Sequence, residues 1–142
     1  MKNTTKIVWT SIALIIVTGV LHFIEAPEYF EETAYMGVLF VLNGTGALAA
    51  AYGIYKRQNW GWLLGLLIAG GSIIGYALSR TVGLPNIAVK EWFETIGILS
   101  LVVEGLFVLL ALKTLTAGAQ TQKNHLSNKN QRGISNAANA AR

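Results

Sequence analysis

The chain has 142 residues, enough for one domain. It is 53% hydrophobic and only 13% charged, against roughly 25% charged residues in soluble domains, so an ordinary soluble fold is a poor fit. It contains no Cys, which excludes disulfides, thiolate nucleophiles, Cys-ligated zinc, iron–sulfur clusters and covalent c-type haem; the formal charge of +4 invites a nucleic-acid reading that the placement of the charges overturns.

Four apolar stretches, at residues 7–24, 34–55, 60–78 and 95–112, each approach the ~20 residues a helix needs to cross the bilayer core. None shows the charged face of a soluble amphipathic helix. The first follows a basic start, Lys2 and Lys6, and ends in "LHFIEAP" without a small-x-small cleavage site, so it reads as an uncleaved helix rather than a signal peptide. Its polar residues Ser11, Thr18, His22 and Glu25 are spaced to share one face. An acidic outer loop, "EAPEYFEET", is predicted next. The second helix aligns Asn43, Gly46, Ala50 and Gly53, and the short link "KRQN" follows. The third carries Ser72, Tyr76, Ser79 and Arg80 as a polar face, with two ridges, Gly61-Gly65-Ala69 and Gly71-Gly75-Ser79, that are expected to pack against neighbouring helices. The long connection "SRTVGLPNIAVKEWFE" leads to the fourth helix, where Gly97, Ser100 and Glu104 align. Residues 118–142 are rich in Asn, Gln, Ser and Ala and have almost nothing to bury, so they are predicted to be a disordered tail. His125 within them reads as an ordinary exposed histidine.

The fold class is therefore all-α: a four-transmembrane-helix bundle over residues 1–117. Lys and Arg set its orientation. Lys2, Lys6, Lys56, Arg57, Lys113, Lys123, Lys129, Arg132 and Arg142 fall on one side, and only Arg80 and Lys90 on the other. Both termini are thus expected in the cytoplasm, in a multi-pass protein of the cell membrane. Positive-inside topology accounts for the net charge, so no nucleic-acid partner is expected. Trp9, Tyr52, Tyr55, Trp60 and Trp62 would form the inner aromatic belt, and Tyr29, Phe30, Tyr35, Trp92 and Phe93 the outer one.

"EYFEET" before the second helix echoes "EWFET" before the fourth, and each is followed by an apolar run with one polar interruption, Asn43 or Glu104. The chain reads as two pseudo-repeated helical hairpins about an axis along the membrane normal. Asn43 and Glu104 lie nine or ten residues below their helix starts, about 14 Å at ~1.5 Å per residue, close to the bilayer centre. His22, Glu25 and Arg80 are placed at the outer helix ends, with Tyr76 one turn below Arg80. The polar groups thus outline a cavity open to the outside, not a through-pore.

Glu104 is the principal candidate site residue, because an ionisable side chain inside the membrane is functional by default. A charged carboxylate there costs several kcal/mol, so Glu104 is expected as a neutral acid, hydrogen-bonded to Asn43, Ser100 or Tyr76. Proton, cation or ligand binding is the competing role. Asn43 and Tyr76 read as interhelical hydrogen-bond formers or ligand contacts, and Arg80 as a residue that snorkels, pairs with an acid or meets a substrate. His22 with Glu25 at i+3 could supply half of a divalent-metal site, completed by Glu28, Glu31, Glu91 or Glu94. Bis-histidine haem within one protomer is not available, since the second histidine is His125. No cofactor is specified.

"GVLFVLNGTGALAAAYGIY", "WGWLLG", "GYALSRTVGLP" and "EWFETIGILSLVVEGLFV" together resemble a family of small prokaryotic four-helix integral membrane proteins. The resemblance covers about half the chain and implies four spans, with no activity attached. Three functions compete on the residues alone: an accessory or ligand-binding subunit of a larger membrane complex, a proton- or cation-coupled small-molecule transporter acting as a homo-oligomer, and a membrane-embedded enzyme. The last has least support, because there is no His-rich cluster and no nucleophile–base motif.

Overall fold

The computed structural model describes residues 2–140; Arg142, counted above among the inner basic residues, lies outside them. Four helices follow one another: α1 Lys2–Glu32, α2 Ala34–Tyr55, α3 Asn59–Thr81 and α4 Thr95–Ala140. All four are long and apolar enough to cross a membrane. The bundle is therefore that of a multi-pass membrane protein, and its surface agrees. Leu42, Leu63, Leu67, Ile74 and Leu109 are all exposed, while fully buried positions include Ala47, Ala50, Ala69 and Ala111. Bulky aliphatic groups face outward toward lipid, and small residues line the helix contacts.

Two of the predicted boundaries move. The "EAPEYFEET" segment is no loop: α1 continues through it, with Pro27 inside the helix. Thr33 alone, in an extended conformation, joins α1 to α2. The acidic residues suggested an outer loop, but Glu is a good helix former, and one proline removes only one donor from the ladder. Residues 112–142 form a unit of their own. There α4 runs on to Ala140, where the composition predicted disorder, and the side chains of residues 116–132 are exposed. Ala, Gln, Lys and Leu supply local helix propensity there without any burial.

The first three helices meet backbone to backbone. A methyl group on Gly19 of α1 would lie 3.1 Å from the Gly44 carbonyl oxygen of α2. One on Gly61 of α3 would lie 2.5 Å from the Gly53 carbonyl carbon. Among the described residues no Cα of α4 comes within 8 Å of a Cα in another helix. α4 is joined instead through side chains. Phe107, fully buried, reaches Gly65 and stacks on Trp62 with ring centroids 6.4 Å apart. Trp62 thus belongs to the core, not to the aromatic belt; a belt position at the start of α3 also faces α4 once the helices are assembled. The wider spacing of α4 leaves room inside the bundle.

The repeat motifs adopt different conformations. Residues 28–32 are the last turns of α1, while residues 91–94 lie in the irregular connection before α4. The two hairpins share order and direction but not the structure of their turns.

Candidate functional site

Each helix places one polar residue at the same level. His22, Asn43, Ser72 and Glu104 lie nine or ten residues from the end of their helix nearest the Thr33 and 82–94 connections, about 14 Å at ~1.5 Å per residue. His22 was expected at the end of its span. It sits at mid-depth because α1 is longer than its apolar run. This coincidence of level brings the four side chains together, although they are remote in the sequence.

Their hydrogen bonds run across the bundle. His22 Nδ1 donates to the Thr18 carbonyl at 2.8 Å, which leaves Nε2 to accept from the Ser72 hydroxyl at 3.1 Å. Asn43 Nδ2 donates to the Ser72 oxygen at 3.4 Å. The Ser100 hydroxyl donates to Glu104 Oε1 at 3.1 Å, and that oxygen lies 3.9 Å from His22 Nε2. Glu104 is 2% exposed and His22 4%. An imidazole and a carboxyl group at this separation can exchange a proton through a small rotation or one bridging water.

Of the partners expected for Glu104, Ser100 is bonded to it, whereas Asn43 bonds Ser72 instead. Tyr76 is not a partner: its hydroxyl donates to the Trp92 carbonyl at 2.6 Å, because the ring stands two turns above Glu104, beside Gly97. Ser72 is the residue that sequence reasoning passed over, although it lay on the polar stripe of the third helix. It is the hub, since a hydroxyl both donates and accepts. The metal reading does not gain support. His22 points at Ser72 and Glu104, and among the described residues no three His, Asp or Glu side chains come together as a metal-binding set.

Above this floor lies a cavity of about 360 Å³, at the lower end of ligand-pocket sizes. His22, Glu25, Tyr29, Met36, Leu39, Phe40, Asn43, Tyr76, Ser79 and Leu101 form much of its wall. Tyr29 stacks on Phe40 at 4.0 Å, so it faces inward rather than serving an interfacial belt. Gly71 and Gly75 also line the cavity, and a methyl group on either would meet nothing within 4 Å. The upper ridge of α3 therefore does not pack, as its spacing suggested. Its glycines leave space, whereas Gly61 and Gly65 of the lower ridge are buried in close contacts.

Arg80 closes one corner of the mouth. It is 3% exposed, bonded through Nη2 to Glu94 Oε2 at 2.5 Å, with its guanidinium 4.6 Å from the centre of the Tyr76 ring. Of the roles open to it, pairing with an acid is the one observed. The 82–94 connection lies across the mouth, with Leu84, Ile87 and Lys90 in the cavity wall. Gly83 at φ +77° and Asn86 at φ +61° turn it back on itself at the Leu84–Ile87 bridge, conformations that Gly and Asn adopt at least cost. Tyr35 donates to the Pro85 carbonyl at 2.6 Å, and Lys90 pairs with Glu32 at 2.5 Å. Tyr35→Phe removes one of these pins. We expect faster amide exchange confined to residues 82–90 and a loss of about 1 kcal/mol or less in stability; unchanged exchange would mean that the Tyr35 bond does not restrain the connection.

Comparison with family models, curated proteins and solved structures gives no match. The class defined by fold and site is a four-helix membrane bundle enclosing a polar-floored cavity, and function must be argued from that cavity.

Proposed function

We propose that the protein is a small ligand-binding protein of the cell membrane, acting alone or as the ligand-binding subunit of a larger membrane complex. One observation carries the reading: an apolar and aromatic cavity of about 360 Å³ ends on a floor built from one polar residue of each helix. Apolar walls with a few convergent polar groups are the ordinary form of a small-molecule site. Structural hydrogen bonding alone would not call for the space kept open at Gly71 and Gly75.

The distribution of Lys and Arg supports an orientation with both termini in the cytoplasm and the cavity mouth outside. Reporter fusions after Glu31 and at the C-terminus test this. An externally located C-terminus would overturn it.

Gly75→Leu tests the binding reading. Its side chain has open space to enter, so we expect a folded protein with a filled cavity. Native mass spectrometry of wild-type protein extracted in mild detergent should retain a stoichiometric small molecule that this variant lacks. Equal retention by both proteins would remove the cavity as the site.

The 3.9 Å approach of His22 and Glu104 favours a second reading, a proton-coupled transporter acting as an oligomer, because such a pair can take up and release a proton beside a bound substrate. Proton-driven uptake by the purified protein in liposomes, lost in Glu104→Gln, would distinguish transport from binding alone.

A further inference from the structure

The acids of the cavity wall are not all paired. Two bases of the wall each have an acid: Arg80 bonds Glu94, and Lys90 bonds Glu32 while covering the Tyr29 ring at 4.3 Å. Glu104 has Ser100 and the nearby His22. Glu25 has neither hydrogen bond nor ion pair among the described residues, yet it is only 8% exposed and lines the cavity about one turn above His22. A buried carboxylate without a partner is costly, and a bound positive group would relieve that cost.

We propose that the cavity binds an organic cation: an ammonium group held at Glu25 and joined to an apolar body of one ring or a short chain. This rests on the reading of the cavity as a ligand site and names the chemistry of its occupant. The body would lie against Phe40, Met36 and Leu39, and a hydrogen-bonding tip, where present, would reach the His22–Glu104 floor. The competing anchor is Arg80, whose Nε and Nη1 have no hydrogen-bond partner and would suit an anion. Both nitrogens are buried from the cavity surface, so an anion in the cavity does not reach them.

An ammonium of this kind can come from a free amine or from an aminophospholipid headgroup, and two arms separate these sources. In the first, protein in an amine-free maltoside detergent is titrated with phenylethylamine, its neutral analogue phenylethanol and its anionic analogue phenylacetate, by calorimetry. In the second, native mass spectrometry follows retention of phosphatidylethanolamine against phosphatidylglycerol from mixed micelles. We expect preference for the amine in at least one arm, weakened about thirtyfold or more in Glu25→Gln and retained in Glu25→Asp. Near-UV circular dichroism confirms that each variant is folded. Should Glu25→Gln fail to fold, the order of the three wild-type titrations decides by itself. Preference for phenylacetate, or for the neutral and cationic analogues equally with no selective lipid retention, overturns the cation assignment and leaves a ligand cavity. Undiminished amine binding in folded Glu25→Gln likewise overturns the role of Glu25. No binding of any probe, together with no retained lipid, overturns this assignment and counts against the ligand-binding reading as well. Gly75→Leu separates that reading from the cation assignment, because it should abolish binding of all probes regardless of charge.

Discussion

Replacing Glu104 with leucine should destabilise the bundle by about 1–3 kcal/mol, whereas glutamine should cost less than about 1 kcal/mol. Leucine removes the acceptor of the Ser100 hydroxyl and the polar neighbour of His22 while leaving both in place, each more than nine-tenths buried. Polar groups buried this deeply recover little from water when they lose their partner. Glutamine keeps a carbonyl oxygen for Ser100 at the position of Oε1, the carboxyl oxygen that also lies nearest His22 Nε2. A counter-effect exists, since an apolar group of matching shape can replace a buried polar one at no loss; leucine, however, matches the shape of neither the carboxyl group nor its partners. Thermal unfolding followed by tryptophan fluorescence checks the order of the two variants. A leucine variant as stable as the glutamine variant would mean that the floor network contributes nothing to folding, and that Glu104 is retained for binding or proton transfer alone.

Gly61→Val should be the more damaging change, at about 3 kcal/mol, the upper end of the usual cost of overpacking. The added Cβ would lie 2.5 Å from both the Gly53 carbonyl carbon and the Ile54 nitrogen. These are backbone atoms that cannot rotate away, so α2 and α3 must separate, and the contacts at Ala50, Gly65 and Ile68 loosen with them. Gly71→Ala provides the contrast on the same helix. Its Cβ meets nothing within 4 Å, and alanine is favoured over glycine in a helix by up to ~1 kcal/mol, so the bundle should be unchanged or slightly more stable. The measured melting temperatures should therefore move in opposite directions. Equal losses at both positions would contradict the assignment of one glycine to a helix contact and the other to open space.

These two glycines also show where sequence reading stops. Gly61-Gly65-Ala69 and Gly71-Gly75-Ser79 present the same small-xxx-small spacing, and spacing alone assigns both to packing. The difference arises because α2 crosses α3 closely near Gly53 and leaves open space at Gly71 and Gly75, which is a property of the helix pair and not of either sequence. The same holds for Arg80. That it needs a partner is evident from its apolar setting, but Glu94 is chosen from several acidic residues only when the 82–94 connection folds back over the mouth.

The four spans were legible because a helix that must satisfy its own backbone in hydrocarbon needs about 20 apolar residues, and that demand is written locally. The inward faces were equally legible. Ser11, Thr18, His22 and Glu25 share a 3.6-residue face, as do Ser100 and Glu104, and all six are buried. What the linear pattern misplaced was depth along α1, since polarity marks where an apolar run stops but not where the helix does. By itself, then, the sequence determined the number of helices and the face each turns inward, because both depend on local periodicity. The joining of His22 to Ser72 and Glu104, the glycines that leave space and the acid without an ion pair among the described residues were decided only by the tertiary structure, because each depends on how residues dozens of positions apart come to share one level of the bundle.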